Sequence, residues 1–376
     1  MGTMDELINP SVVATLRQSV KAVAPRLELS SLANAERGVE GQRLRDRVDI
    51  VRDALLRDIP AGFPAAERTI LDVVEVPQFA GWMIWPVTEF VTARALESGS
   101  QADFDAGMML LAQLTTMLSS EFAIRDMVIA RPERALDVMR AWADHDNEHV
   151  RRLASEGSRG FLPWAKRVPW LLAHPEATRA IIDSMYRDPA DYVRRSVANH
   201  LNDLSRVDAD LVTEIGKGWQ TEPDANTPWM LRHGLRTLLT KANPQALALV
   251  GYTGAGLRVD SPHLSSSTIP YGGAIGFSAV VKNDGDTDAV IAIDYSIGFV
   301  RANGTVSPKT FKLTSRHLAP GESVTVSKSH SFRPITTRSY YPGRHFVTVQ
   351  ANGIVSPDAE FILEHAGQKV VAGSEG

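Results

Sequence analysis

Val150-Arg151-Arg152-Leu153-Ala154 and Val193-Arg194-Arg195-Ser196-Val197 repeat one apolar-Arg-Arg pattern at a spacing of 43 residues, each shortly after an acidic cluster that starts a helix. A period of this length is typical of helical pairs that stack into a solenoid, because one pair cannot bury its apolar face alone. One helix of each pair lines the inner surface, so the arginines are expected there at matching heights. The sequence therefore predicts a concave, arginine-bearing surface suited to a polyanion.

Two weaker copies flank this pair. Arg232, in Trp229-Met230-Leu231-Arg232, stands 37 residues after Arg195, and an earlier copy is Phe122-Ala123-Ile124-Arg125. The alternative for any single arginine is an ordinary pairing with an acid of the next turn. Recurrence in register favours a shared role for the set.

Composition limits the classes of protein that the chain can be. It has 376 residues, 44% of them hydrophobic, which is enough for two or more domains with sizeable cores. It has no cysteine, which excludes disulfides, thiolate zinc sites and cysteine nucleophiles. The first residues carry neither a basic flank nor an apolar run, and no stretch is apolar enough for a membrane helix. A soluble, cytoplasmic protein is expected.

The net charge of -4 is unevenly distributed along the chain. Residues 1–118 carry 16 acidic and 11 basic groups, so the excess of acid lies in the amino-terminal part. Local patches, more than totals, determine the field that a phosphate backbone experiences. A basic stretch near the carboxyl end has Glu322 as its single acid against Lys309, Lys312, Arg316, Lys328, Arg333, Arg338 and Arg344.

The sequence changes character near residue 251. Before it, apolar residues recur at helical spacing, as in Leu44, Val48, Val51 and Leu55. After it the period falls to two, in residues 276–281, 290–295, 323–326 and 345–349, separated by turn signals. Five to seven short strands indicate an immunoglobulin-like sandwich. We predict a multidomain protein, an all-α repeat solenoid (1–250), a Gly-rich linker (251–256), an all-β sandwich (257–366) and a flexible tail (367–376).

The segment from Asp144 to Arg159 is the richest in chemistry. If its helix begins near Asn147, Arg152, Glu156 and Arg159 share one face at spacings of four and three. A carboxylate between two guanidiniums stays ionised, because nearby positive charge lowers its pKa. The alternative is an intrahelical row of ion pairs worth only tenths of a kcal/mol.

His145, Glu148 and His149 also fit an H-x-x-E-H zinc pattern, which needs both histidines on one helical face. Asp146 and Asn147 are preferred N-cap residues, so the helix is expected to begin inside the motif and to leave His145 outside it. No metal site is therefore predicted. The alternative hypothesis is a metal-dependent hydrolase, and chelator-sensitive activity would support it.

Three segments together resemble a known family. They are Ser119–Arg125, then Asn147–Arg159 with Leu162-Pro163-Trp164, and Trp229–Gly234. They resemble the AlkC branch of the bacterial HEAT-like repeat DNA glycosylases, relatives of AlkD, and the likeness covers about residues 1–250. The sandwich looks like the immunoglobulin-like domain of one AlkC subgroup. One departure concerns AlkD, which uses a Trp and an Asp where this chain has Phe122 and Glu121.

The resemblance implies a function and a set of site residues. The implied activity is hydrolysis of the N-glycosidic bond of cationic N-methylated bases, 3-methyladenine and 3-methylcytosine, in duplex DNA. It also implies action without full base flipping. No cofactor or metal is expected, the sequence shows no lysine placed well enough for a strand-cleaving lyase step, and a monomer is expected. Glu156 would be the main catalytic carboxylate, with Glu121 and Asp203 as further candidates. The DNA-binding set would be Arg151, Arg152, Arg159, Arg125, Arg194, Arg195, Arg232, Phe122 and Trp164.

A rival hypothesis is a non-enzymatic helical scaffold that binds a protein or nucleic acid, since solenoids commonly serve that purpose. Such a scaffold would be expected to carry an apolar groove. The grouping of arginines with acids at repeat junctions favours catalysis on a polyanion instead. For the sandwich, the basic stretch suggests a grip on DNA, and the alternative is a protein-binding or solubilising domain.

Overall fold

A computed structural model of the chain describes residues 4–253, 256–334 and 339–365. The chain divides into two compact units, Met1–Leu235 and Arg236–Gly376. Part of the expected linker (254–255), Arg338 of the basic stretch and the expected tail (367–376) lie outside the described residues. Among the described residues, no helix has the length and apolar character that crossing a membrane requires.

The first unit is built from helices, as the sequence period predicts. Three short 3₁₀ helices accompany the α-helices, at Met4–Ile8, Gly81–Met83 and Pro175–Thr178. The α-helices of this unit are Pro10–Val23 (α1), Ser30–Gly38 (α2), Leu44–Asp58 (α3), Phe63–Val74 (α4), Ile84–Glu97 (α5), Gln101–Leu114 (α6), Ile124–Ala130 (α7), Pro132–Trp142 (α8), Glu148–Gly157 (α9), Pro169–Ala173 (α10), Arg179–Met185 (α11), Asp191–Leu204 (α12), Ala209–Thr221 (α13) and Thr227–Gly234 (α14).

Local sequence signals account for several helix starts. Helix α9 begins at Glu148, and the Asn147 side chain accepts a hydrogen bond from the His149 backbone N–H, which satisfies a donor that has no partner within the helix. His145 lies outside α9, as predicted. Helix α8 begins at Pro132, where the missing N–H costs nothing.

The repeated first arginine proves to be part of the scaffold. The Arg151 guanidinium donates from Nη1 to the backbone oxygens of His145 (2.9 Å) and Asp146 (2.8 Å), six and five residues earlier. Arg194 does the same to Asp188 (2.6 Å) and Pro189. Each arginine therefore ties the loop before its helix to the helix itself, and the repeat in sequence is a repeat of this clamp.

Glycine permits two close approaches between helices. A Cβ added to Gly157 would lie 2.8 Å from a methyl carbon of Ile124, so α9 packs directly on α7 there. A Cβ on Gly234 would lie 2.7 Å from a Leu201 methyl, where α14 meets α12. Any larger residue at either position would push apart the helices that position the candidate site.

The second unit contains two short helices and a two-sheet sandwich. The helices are Arg236–Thr240 (α15) and Pro244–Leu249 (α16). Ten strands are described where five to seven were expected: Leu257–Val259 (β1), His263–Leu264 (β2), Thr268–Ile269 (β3), Ala274–Asn283 (β4), Ala289–Val300 (β5), Val306–Leu318 (β6), Ser323–Ser331 (β7), Gly343–Ala351 (β8), Ile354–Val355 (β9) and Ala359–Leu363 (β10). The extra count comes largely from short pairings of two or three residues.

The two sheets pair almost entirely antiparallel. In the first, β4 pairs with β1, β2 and β7. The second runs β3-β10-β8-β5-β6 with β9 on β8, and its β3–β10 pairing is parallel. Along β4 buried and less buried residues alternate, which is the pattern that predicted the strand. The immunoglobulin-like architecture is confirmed.

Aromatic side chains form the centre of this sandwich, in a chain that has no cysteine. Phe332 lies 5.1 Å from Tyr340 and 5.3 Å from His345, and His345 stacks at 24° on Phe361. His345 is fully buried and burial lowers its pKa, so the imidazole stays neutral within the core. Edge-to-face and stacked rings of this kind stabilise a core beyond the area that they bury.

Candidate active site

A group of three carboxylates and two guanidiniums lies where α9 and α12 meet the turn before α7. We call Glu121, Arg152, Glu156, Arg159 and Asp203 the carboxylate-arginine network. Arg152 and Glu156 project from α9, Arg159 from the residues that follow it and Asp203 from α12. Glu121 lies in the turn that precedes α7. Helices far apart in sequence therefore supply adjacent charges.

Glu156 is at the centre of the network. Its Oε1 accepts from Arg159 Nη1 at 2.5 Å and lies 3.7 Å from Arg152 Nη2. Its Oε2 accepts from the Ser196 hydroxyl at 2.6 Å, and Ser196 lies on α12. The carboxylate is almost completely buried. These partners offset the several kcal/mol that burying a carboxylate alone would cost.

Arg152 joins two of the acids and an aromatic ring. Its Nη1 donates to Glu121 Oε2 at 2.7 Å and to Ser119 Oγ at 3.1 Å. Its guanidinium carbon lies 4.8 Å from the centre of the Tyr192 ring. Burial disfavours the charged guanidinium, but the carboxylates of Glu121 and Glu156 outweigh it, and the pKa of Arg152 is raised.

Arg159 connects the two helices of the network. Its Nε donates to Asp203 Oδ2 at 2.8 Å while Nη1 binds Glu156. Asp203 is nearly completely buried. Burial opposes the charge of Arg159, and Glu156 and Asp203 more than compensate, so its pKa is raised. Arg159 was predicted both to bind DNA and to share one helical face with Glu156; in the structure its side chain is only 8% exposed, and the guanidinium lies between the carboxylates of Glu156 and Asp203.

A neutral histidine lies behind this network. His200, on α12, is fully buried, and burial, followed by the positive charge of Arg159, lowers its pKa to about 3. The imidazole is therefore uncharged at neutral pH.

The loop after α9 holds a tryptophan out in solvent. Trp164 has 82% of its surface exposed and a backbone φ of 61°, in the left-handed region that a bulky residue adopts only when its surroundings impose it. The neighbouring Leu162 is buried and anchors the loop. The exposed ring is available for stacking, the role that the family resemblance implies for Trp164.

Arg125 corrects a sequence prediction. It is fully buried, and its guanidinium donates to the backbone oxygens of Lys166 (3.0 Å), Gly157 (3.1 Å) and Arg159. Burial and the charge of Arg167 lower its pKa to about 10. Arg125 thus has no surface to offer DNA. It fixes the two ends of the loop that carries Trp164.

The remaining predicted arginines separate into clamps and exposed groups. Arg151 and Arg194 are only 13% and 12% exposed and are used within the protein, so their predicted role at the DNA is not supported. Arg151 also forms a two-point ion pair with buried Asp188, at 2.6 and 3.0 Å. Arg195 is 62% exposed beside Asp191, and Arg232 is exposed. These last two keep a free surface.

Phe122 lies on an aromatic neighbour that the sequence did not single out. Its ring stacks on Trp85 of α5 at 4.6 Å and 24°. The indole N–H of Trp85 donates to buried Glu89 at 3.3 Å, and Arg45 pairs with Glu89 at 2.8 Å. The stack therefore supports the turn that carries Glu121, the neighbour of Phe122 in sequence.

Two further site residues, Ser196 and Tyr192, were missed in the sequence. A signal for Tyr192 exists: it occupies the repeat position of His149, and the two rings meet edge to face at 5.6 Å. Trp229 occupies the corresponding place in the looser third copy. Ser196 offers no signal, because a serine on a helix is common and its partner Glu156 is 40 residues away.

No set of three or more histidine, aspartate or glutamate side chains suited to a metal ion is found in the part of the chain that the structure describes. The network has one carboxylate more than it has guanidiniums. That excess of negative charge is held in place by hydrogen bonds and ion pairs. It suits the stabilisation of a cationic centre and the orientation of a water molecule.

Comparisons with known proteins agree on both units. Residues 118–238 match a family described as DNA alkylation repair enzyme, and residues 258–365 match the C-terminal Ig-like domain of the uncharacterised protein YhaZ. The chain is 32% identical over 369 residues to the uncharacterised protein YhaZ of Bacillus subtilis, covering 96% of this chain and 99% of the relative. It is also similar to the Pseudomonas fluorescens alkylpurine DNA glycosylase AlkC, solved bound to DNA containing an abasic site analog, with 32% identity, a TM-score of 0.80 and coverage of 97% and 100%.

Proposed function

This chain belongs to the AlkC-type family of DNA alkylation repair glycosylases, and we propose that it releases cationic N-methylated bases, 3-methyladenine and 3-methylcytosine, from duplex DNA. The observation that carries the proposal is Glu156, an almost buried carboxylate held by Arg159 and Ser196 at the centre of a network with a net negative charge.

The chemistry of the substrate matches this arrangement. A methylated base with a positive charge leaves as a neutral molecule, taking the electron pair of the N-glycosidic bond, so it needs no protonation. The sugar becomes cationic at C1′, water adds there, and the water loses a proton to a carboxylate or to solvent. The enzyme's task is to stabilise the sugar cation and to place the water, and ionised carboxylates can do both.

We assign Glu156 the main role, because fixed donors hold both of its oxygens. Glu121 is less buried and is reached through Arg152, which makes it a candidate for contact with the cationic base. Asp203 accepts from Arg159 through Oδ2 and is assigned a supporting electrostatic role. Arg152 holds the two glutamates in place.

The proposed partner is double-stranded DNA, bound by a monomeric, cytoplasmic protein without a cofactor. The AlkC relative was solved with DNA containing an abasic site analog, which supports DNA as the ligand. Among the predicted contact residues, exposed surface remains on Trp164, Arg195 and Arg232. An exposed ring such as that of Trp164 suits the role of a wedge in bent DNA, and the damaged base then does not have to enter a deep pocket. We further propose that the basic stretch of the sandwich, with Lys309 and Lys312 on β6, adds DNA affinity. Removal of residues 256–376 should then weaken binding and flatten its salt dependence.

The test is chromatographic release of free bases from methylated duplex DNA with a chelator present. The native chain should release 3-methyladenine and 3-methylcytosine, and Glu156→Gln should lower the rate by at least about tenfold, or roughly 1.4 kcal/mol of barrier. Glu148→Gln, an exposed change on the same helix, is the matched control and should leave the rate unchanged.

Three outcomes would change the proposal. Release that Glu156→Gln does not affect would move the chemistry to Glu121 or Asp203. No release at all would favour the scaffold hypothesis. A borohydride-trapped adduct between protein and DNA would show a lyase step and contradict a purely hydrolytic reaction.

A further inference from the structure

A second cationic group lies just beyond the carboxyl ends of α9 and α12. The guanidinium carbons of Arg167 and Arg206 lie 4.8 and 5.1 Å from the centre of one ring, that of Phe161. We call these three residues the Phe161 cluster. Phe161 itself is half-buried and both arginines are exposed. The ring therefore gathers two positive charges at one place on the surface.

The two charges are not neutralised by the protein. Within the described residues, no carboxylate lies in ion-pair distance of Arg167 or Arg206, although many exposed arginines of this unit have such a partner. Arg187 shows the difference, since it lies 5.1 Å from the Tyr186 ring in the same way but pairs with Glu222 at 3.2 Å. The Phe161 cluster carries an uncompensated charge of two.

The cluster is rigidly placed beside the carboxylate-arginine network. Arg206 follows Asp203 by three residues, and its backbone N–H donates to the Asp203 carbonyl at 3.1 Å. Arg167 follows Lys166, whose carbonyl accepts from buried Arg125 and whose ammonium pairs with Asp126 at 2.7 Å. Neither arginine depends on a loose loop for its position.

The two guanidinium carbons can be no further apart than about 10 Å, roughly one Debye length at 0.1 M salt, so the two charges repel each other. The attraction of each guanidinium to the Phe161 ring offsets only part of this repulsion. An anion placed between or beside them would relieve it. Planar guanidiniums bind phosphate oxygens through paired hydrogen bonds, which makes a phosphodiester the anion that fits best.

We propose that Arg167 and Arg206 form a phosphate-binding site for the DNA backbone, adjacent to the carboxylate-arginine network. The site rests on the proposed function, since it presumes DNA on this side of α9 and α12. It holds the strand in register and contributes no base recognition. Trp164 is exposed in the same loop as Phe161.

The experiment is equilibrium binding of the full chain to a duplex that contains an abasic-site analogue, measured over a series of salt concentrations. Arg167→Ala and Arg206→Ala should each weaken binding by about three- to tenfold and lower the slope of log affinity against log salt by about one, and the double variant by about two. Arg187→Ala, whose charge is already paired, is the matched control and should leave the slope unchanged.

Two further measurements keep the test sharp. Arg167→Lys with Arg206→Lys keeps the charge and should retain the salt slope, so a loss of fold in the alanine variants does not obscure the result. Single-turnover base release at saturating DNA should change less than about twofold in every variant that folds. An unchanged salt slope in a folded double-alanine variant would overturn the site. Binding by the native chain without base release would overturn the proposed function and leave the phosphate site intact.

Discussion

Helices α9 and α12 are built on the same plan and used for different purposes. In both, the first arginine of the pair clamps the preceding loop through two backbone oxygens. The second arginine differs: Arg152 is largely buried among carboxylates, whereas Arg195 is mostly exposed beside Asp191. The repeat preserves the scaffold, and the chemistry lies where the two copies depart from each other.

The departures continue along the helices. Glu156 of α9 corresponds to Asn199 of α12, whose side-chain oxygen meets the imidazole of His233 at 3.0 Å. Gly157 corresponds to His200, so one copy approaches α7 closely and the other buries a neutral ring. Four predictions test how far scaffold and chemistry are separable, beginning with the largest expected effect.

The clamp of α9 should matter most for stability. Arg151→Met leaves the carboxylate of Asp188 buried without its cation and two backbone oxygens without donors, so the free energy of unfolding should fall by about 3 kcal/mol. Arg194→Met, which loses two backbone partners and one long ion pair of 3.6 Å with exposed Asp191, should cost about 1 to 2 kcal/mol. Chemical denaturation measures both. Adding Asp188→Asn to Arg151→Met should recover part of the loss; no recovery would contradict a charge-based cost.

The buried histidine should make stability depend on pH. Its folded pKa of about 3 lies below the ordinary value of 6.5, so the unfolded chain binds the extra proton and stability falls as pH drops below 6.5. By pH 5 the native chain should have lost about 2 kcal/mol through this group. Between pH 8 and pH 5 the free energy of unfolding of His200→Leu should fall by about 2 kcal/mol less than that of the native chain. Parallel curves for the two proteins would show that His200 is protonated as easily when folded.

The Ser196 hydroxyl, which α12 supplies to Glu156, should affect the rate of base release more than the affinity for DNA. Ser196→Ala removes the 2.6 Å hydrogen bond to Oε2 and should slow single-turnover base release by about tenfold, roughly 1.4 kcal/mol, with DNA affinity changed less than about twofold. Ser205→Ala, which also removes a buried hydroxyl from this region but one bound to a backbone oxygen, is the control. Equal losses in both variants would mean that the effect is structural.

The exposed arginine of α12 should have the smallest effect. Arg195→Ala removes a surface ion pair with Asp191 and should change the free energy of unfolding by less than about 0.5 kcal/mol. If it contacts DNA, as proposed, binding should weaken while the rate at saturating DNA stays the same. A stability loss as large as that of Arg194→Met would show that the two arginines of α12 do not divide scaffold from surface.

Part of the site could be predicted from local spacing. Arg152, Glu156 and Arg159 fall on one face, and the structure joins them through ion pairs, since residues three and four apart are neighbours on a helix. The start of α9 after Asn147 was also predictable, because an N-cap acts locally. Strands in which apolar and polar residues alternate could be predicted from the sequence, whereas β6, which is mostly exposed, shows no such alternation.

Other parts could not be predicted because they depend on packing between distant segments. Arg125 looked like one more repeated surface arginine, and its burial under the loop after α9 is visible only once α7 and α9 are in contact. Arg159 meets Asp203 across 44 residues, and Trp85 reaches Phe122 from α5. Spacing along the chain carries no information on such pairs.

The sequence by itself determined the helical and β-rich regions, the register of the repeated arginines and the row of charges on α9, because caps, turns and periodicity act over a few residues. Only the tertiary structure decided which of those charges are buried, which face solvent and which carboxylate accepts from which donor. The physical reason is that the free energy of a charge depends on its surroundings far more than on its neighbours in sequence. The same residue type, arginine, is therefore a clamp at 151, a network member at 152 and a free surface cation at 206.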